Sequence, residues 1–157
     1  MKTITPCLWF DTEALDAAKY YVSVFPDSSL GDIGYFNESN PYGTPGSVMT
    51  VEFTIMGQEF MGLNGGPNFP HSYAVSFMIP VETQEEIDYF YEKLSVVPEE
   101  EQCGWVKDKF GLSWQIIPNR FIELVKSSDK EKVSHLMKQF LSMKRLNIAE
   151  IEKAYNG

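Results

Sequence analysis

The order of periodic segments constrains this chain more than any other feature. Thr3 to Phe10 is a short apolar, aromatic run that reads as a strand, closed by Asp11-Thr12, a pair suited to capping a helix. Ala14, Ala17, Ala18, Tyr21, Val22 and Phe25 then recur at the three-and-four spacing of one helical face until Pro26-Asp27-Ser28 stops them. Leu30 to Phe36 reads as a second strand and Asn37 to Gly46 as a polar loop, after which Met49, Val51, Phe53 and Ile55 alternate with Thr50, Glu52 and Thr54 as a half-buried strand. Met56-Gly57 turns the chain into Gln58 to Asn64, and Gly65-Gly66-Pro67 breaks it. This first pass is β-α-β-β-β.

A second pass opens at Tyr73. Tyr73, Val75, Phe77 and Ile79 form one bulky face of a strand and Ala74, Ser76 and Met78 the other, with Pro80 closing it. Thr83 and Glu86 have capping-box spacing, and Ile87, Phe90, Tyr91 and Leu94 supply the helical stripe behind them. The acidic loop Pro98 to Glu101 leads to a strand over Gln102 to Lys107, a turn at Asp108 to Gly111, and a final strand from Leu112 to Ile117 ended by Pro118. The order β-α-β-β repeats, which predicts an α+β domain over residues 1–118. Its two modules, about 3–66 and 72–118, share one sheet system. Residues 119–157 change to helical texture. Ser128 and Glu131 form a capping-box spacing ahead of Val133, Leu136, Met137, Phe140 and Leu141, and Asn147 with Glu150 starts a last helix carrying Ile148 and Ile151. This amphipathic tail either covers an open edge or end of the sheet in its own chain or packs on a second subunit.

Composition narrows the functional classes. Hydrophobic residues at 43% and charged residues at 22% exclude a disordered or collagen-like chain. No apolar run approaches the roughly 18 residues of a membrane helix, and Met1-Lys2-Thr3-Ile4 flows directly into the first strand, so a cytoplasmic protein without a membrane partner is expected. Thirteen basic against 22 acidic residues leave a net charge of −9, which repels phosphate backbones and makes nucleic acid a poor partner. Cys7 and Cys103, in strand-like stretches without CxxC spacing, read as two reduced thiols.

Three segments carry a resemblance: Thr5-Pro6-Cys7-Leu8-Trp9-Phe10-Asp11, Tyr20-Tyr21-Val22-Ser23-Val24-Phe25-Pro26, and the long run from Cys103-Gly104-Trp105 through Lys107-Asp108-Lys109-Phe110-Gly111 to Ser113-Trp114-Gln115-Ile116-Ile117-Pro118. Over roughly residues 3 to 118 they resemble the PhnB-like family of the vicinal oxygen chelate superfamily, which includes glyoxalase I, bleomycin-resistance proteins and extradiol dioxygenases. The resemblance implies paired βαβββ modules around a cupped sheet. A homodimer is expected. It also implies a place for a divalent metal held by His or Glu side chains from the first and last strands of each module. Those places fall near Pro6 in the first strand, Leu63 or Asn64 in the fourth, Ser76 in the fifth and Gln115 in the last. None is His, Asp, Glu or Cys, and proline has no donor, so no metal site and no cofactor are expected.

The face holding Ser76 and Met78, and that holding Gln115 with Ser113, mix polar and apolar groups as small-molecule sites do. The expected ligand site is therefore Ser76, Gln115 and Asn64 as hydrogen-bonding groups with Pro6, Leu8 and Met78 as apolar wall. The alternative is that Ser76 and Gln115 satisfy each other in a filled core. No Asp, Glu or His stands at these positions for acid–base chemistry, which leaves catalysis open. His71 and His135, far apart and outside any HxxxH pattern, read as loop and surface residues, and Cys103 as a bystander thiol. Gly62 to Gly66 cannot cradle a phosphate, because Pro67-Asn68-Phe69-Pro70 prevents a helix from starting there. The 3-demethylubiquinone methyltransferase label attached to such sequences lacks any strand, glycine loop and helix unit for S-adenosylmethionine. The first functional reading is thus a metal-free binder of a small, partly apolar molecule. Its rivals are a metal-dependent lyase, isomerase or dioxygenase-type enzyme with non-standard ligands, and a non-catalytic assembly protein.

Overall fold

A computed structural model describes residues 4–157, so Thr3, the predicted start of the first strand, lies outside the described residues. The chain divides into two compact units at His71/Ser72.

The first unit holds β1 (Cys7–Phe10), α1 (Ala14–Val24), β2 (Ser29–Tyr35), β3 (Val48–Ile55) and β4 (Gln58–Asn64). Its sheet runs β1-β4-β3-β2, with β1 parallel to β4 and the other pairs antiparallel. The alternation in β3 is obeyed. Val51, Phe53 and Ile55 are buried on the face that receives Ala14, Ala17, Ala18 and Tyr21 of α1, and Tyr21, Phe53 and Phe60 stack in sequence with centroids 6.2 and 5.5 Å apart. Burying each large side chain of this kind is worth about 1.5–3 kcal/mol. Three alanines let α1 lie close to the sheet, and Gly62 completes the fit: a Cβ there would stand 2.9 Å from Val51 Cγ1 and 3.2 Å from Ala14 Cβ.

The start of α1 departs from expectation. Neither Asp11 nor Thr12 caps it; Glu13 is the boundary residue and gives no side-chain cap. The missing acceptor comes from Asn64 at the end of β4.

The second unit holds β5 (Ser76–Val81), α2 (Gln84–Leu94), a 3₁₀ turn at Pro98–Glu100, β6 (Trp105–Lys107), β7 (Ser113–Pro118) and the tail helices α3 (Asn119–Val125), α4 (Lys130–Phe140) and α5 (Ile148–Asn156). Its sheet order is β5-β7-β6, with β5 and β7 parallel and β6 and β7 antiparallel. The Thr83–Glu86 capping box on α2 forms as the spacing predicts. Three local expectations change. β5 begins at Ser76, not Tyr73, and runs through Pro80, which is tolerated because β5 is an edge strand with one side free of ladder bonds. Cys103 is not in a strand: with φ of 51° it enters a left-handed turn completed by Gly104. Finally, α4 is capped by Asp129, whose carboxylate accepts from Lys132 N, and not by Ser128.

The tail packs on the second module of its own chain. Ile117 joins Phe121, Leu124, Leu136, Leu146 and Ile151 in one buried cluster. Polar bonds fix its connecting loop: Cys103 N and Gly104 N donate to the carbonyls of Met143 and Lys144 at 2.8 Å each. The Gln84 side chain donates to Leu146 O at 3.2 Å and accepts from Ile148 N at 2.9 Å. Asn147 caps α5 as predicted, accepting from Glu150 N.

Candidate functional site

Each sheet has one face under a helix, and strand register sorts the predicted site residues between that face and the opposite one, which on the second sheet is exposed at Met78 but buried at Ser113 and Ile117. Leu8 pairs with Gly62 and Gly62 with Val51, so Leu8 lies on the α1 side and is only 6% exposed. Asn64 lies there too. Its Oδ1 accepts from Ala14 N at 2.9 Å and its Nδ2 donates to Val48 O at 3.0 Å, so both ends of the amide serve the fold. Pro6 precedes β1, and its carbonyl accepts from Met61 N. Pro6, Leu8 and Asn64 therefore do not join one open surface. The physical reason is that Cys7-Leu8-Trp9-Phe10 is apolar throughout, and a run without alternation does not reveal its faces.

The open side of the first sheet carries Cys7, Met61 and Glu52 side by side across β1, β4 and β3. With Thr5, Thr54 and Glu59 they border a groove of about 600 Å³. Partial burial pushes the Cys7 thiol up, away from the thiolate a reactive cysteine requires.

In the second sheet the remaining predicted residues do come together. Met78 pairs with Gln115 and Gln115 with Trp105; in the adjacent row Ser76 pairs with Ser113 and Ser113 with Lys107. Gln115 Nε2 donates to Ser76 Oγ at 2.8 Å, both residues are half-buried, and Met78 is 55% exposed beside them. The alternate residues Ile79, Val81, Val106, Trp114 and Ile116 are buried, as are Ile87, Phe90, Tyr91 and Leu94 of α2. Ser113 Oγ is fully buried and has no hydrogen-bond partner among the described residues.

Sequence reasoning missed the aromatic rim of this surface. Tyr73 and Trp105 lie with ring centroids 6.0 Å apart, and the Lys107 ammonium stands 4.9 Å from the Tyr73 centroid and 3.4 Å from Glu100 Oε1. The signal was available in β6, where Trp105 and Lys107 flank the buried Val106 at period two. Asp108, in the same stretch, is a buried carboxylate, and the fold consumes it. Its Oδ1 accepts from Phe110 N and Leu112 N, and its Oδ2 from Trp114 Nε1 at 2.8 Å. The expected turn at Asp108 to Gly111 is thus built by the Asp108 side chain.

A family model described as 3-demethylubiquinone-9 3-methyltransferase matches residues 2–117. The chain belongs to this PhnB-like family. It is 34% identical to a PhnB protein of Bacillus cereus, over 74% of this chain and 99% of that one, with a TM-score of 0.63. A protein of Pseudomonas aeruginosa shares the fold at 18% identity, a TM-score of 0.57 and coverage of 75% of this chain and 98% of its own. Comparison with curated proteins gives no match. Family membership carries the vicinal oxygen chelate superfamily and its α+β module architecture with it. Residues 119–157 lie beyond the family match.

Metal enzymes of that superfamily need His or carboxylate donors converging from the strands. Among the described residues no group of three or more His, Cys, Asp or Glu side chains is placed to hold a metal ion. The amide and hydroxyl at Gln115 and Ser76 bond each other, and neutral groups of this kind are poor ligands for transition metals. As ligands, Ser76 and Gln115 therefore do not fit a transition metal.

Proposed function

We propose that this PhnB-like protein binds a small, partly apolar organic molecule on the open face of its second sheet, without a bound metal ion. Ser76 and Gln115 bond each other, as the filled-core alternative expects, but the pair is only half-buried and lies beside Met78, which is 55% exposed; that exposure supports the reading. That bond uses one amide hydrogen and one hydroxyl lone pair, leaving Gln115 Oε1 as an acceptor and the Ser76 hydroxyl hydrogen as a donor. Two remaining hydrogen-bonding valences beside an exposed thioether and an aromatic pair make a surface with apolar area and few polar groups. We also infer a cytoplasmic homodimer; light scattering at several concentrations reads the oligomeric state.

The test is a thermal-shift screen of small organic compounds followed by Ser76→Ala and Gln115→Ala. Compounds that stabilise the wild type should lose most of their effect in either variant, while the unliganded melting temperature moves little. A screen in which no compound stabilises the protein counts against binding and favours an assembly role. Elemental analysis of protein purified without an affinity tag addresses the metal: a stoichiometric transition metal would overturn the metal-free reading.

A further inference from the structure

We propose that the groove between α4 and α5 binds a small organic anion, a single carboxylate or phosphate attached to a short apolar group. The groove has a volume of about 710 Å³ and lies wholly within the tail, beyond residue 117 where the family match ends. His135 and Lys138 border it from α4 and Lys153 from α5, with Met143 and Ala154 supplying apolar surface and Glu150 the one acidic side chain.

Two observations select an anion. First, Lys138 and Lys153, like Lys126, Lys130 and Lys132, have no ion-pair partner among the described residues, and of these unpaired tail lysines they are the two that line the groove. Of the five tail carboxylates, Glu152 and Glu123 both pair with Arg120, and Glu150 is the one whose side chain lines the groove. Second, the charge is segregated along the chain. Residues 1–118 carry five Lys or Arg and 17 Asp or Glu, a net −12, while residues 119–157 carry eight and five, a net +3. Two unpaired lysines on one groove of an otherwise strongly acidic chain create a local field that attracts an anion. Glu150 limits that field, so a monoanionic or singly phosphorylated group fits better than a polyanion. Met143 and Ala154, both half-buried, give the remainder of such a molecule an apolar surface to cover.

The experiment follows amide shifts of the full chain by NMR during titration with phenyl phosphate, inorganic phosphate and phenol. Lys138→Gln/Lys153→Gln is the test variant and Lys130→Gln the control for loss of a tail charge outside the groove. Phenyl phosphate should shift residues 135–154 and bind at least tenfold more weakly to the double variant, with Lys130→Gln unchanged. Inorganic phosphate should bind more weakly than phenyl phosphate, and phenol should leave these residues unmoved. If the double variant loses helical circular dichroism, Lys153→Glu alone replaces it under the same expectation. Equal binding to test and control variants, shifts outside the tail, stronger effects from phenol, or no response to phenyl phosphate would each overturn the proposal.

Discussion

Asn64 and Ala14 lie 50 residues apart, yet Asn64 Oδ1 is the acceptor that closes the start of α1, 2.9 Å from Ala14 N. The same side chain holds Val48 O, so one amide joins the end of β4, the start of α1 and the start of β3. A residue that reads as a ligand contact from its position at a strand end is the keystone of the first module.

Asn64→Ala should therefore destabilise the protein by about 1–3 kcal/mol, the sum of a lost cap and a stranded part-buried carbonyl. Asp11→Ala and Thr12→Ala, at the positions where local sequence places the cap, should each cost under about 0.5 kcal/mol, as exposed substitutions do. Chemical denaturation of the three variants decides it. Equal losses would return the cap to the local residues.

Ser113→Ala tests the opposite situation, a buried hydroxyl that finds no partner. Leaving such a group unsatisfied costs about 1–3 kcal/mol, so its removal should leave the melting temperature unchanged or raise it. A fall corresponding to more than about 1 kcal/mol, on the scale of an ordinary lost side-chain hydrogen bond, would show that Ser113 has a partner in solution.

The sequence is most legible where periodicity and local chemistry agree. Alternation in Val51, Phe53 and Ile55, the Thr83–Glu86 box and the Asn147 cap all describe interactions made within one element, and all are present. It is least legible where the deciding partner is distant. Nothing near Ala14 signals Asn64, and nothing near Gln84 signals that its side chain will clamp the backbone of Leu146 and Ile148. The candidate site divides in the same way. Ser76, Met78 and Gln115 alternate cleanly enough for their face to be read, whereas the uniformly apolar Cys7–Phe10 conceals that Leu8 faces α1.

Glu101 should give the acid limb of stability a component of its own. Burial alone would raise its carboxyl, but hydrogen bonds from Ser95 and Tyr91 and the charges of Lys144 and Arg145 together hold it below the usual range. Tyr91 is pushed up, by burial first and then by its bond to Glu101, while Arg145 stands 4.4 Å over its ring. Because the folded-state pKa of Glu101 is depressed, its contribution is present above the unfolded carboxylate range and is lost as pH falls through the folded value. Glu101→Gln should thus be less stable than wild type at pH 7, with the gap closing in acid. Denaturation midpoints from neutral to acidic pH check this, and a gap that stays constant or widens in acid would refute it.

Gly104 and Gly111 separate backbone strain from crowding, because both have φ of 83°. At Gly111 a Cβ would meet nothing within 4 Å, so Gly111→Ala carries only the cost of a left-handed alanine, about 1–2 kcal/mol. At Gly104 the added carbon would lie 2.8 Å from Ile116 O, 3.0 Å from Ile117 Cδ1 and 3.1 Å from Leu146 Cδ1. The first of these is backbone of the central strand and cannot move without breaking the bond that Ile116 N returns to Gly104 O at 2.8 Å. The other two belong to the cluster that seats the tail, so the displaced atoms include the tail's own anchor. Gly104→Ala should cost at least about 2 kcal/mol more than Gly111→Ala, as overpacking of a filled core does. It should also expose the tail to limited proteolysis while residues 4–71 stay resistant. Equal destabilisation of the two variants would mean that the turn at Cys103-Gly104 yields easily and does not hold the tail in place.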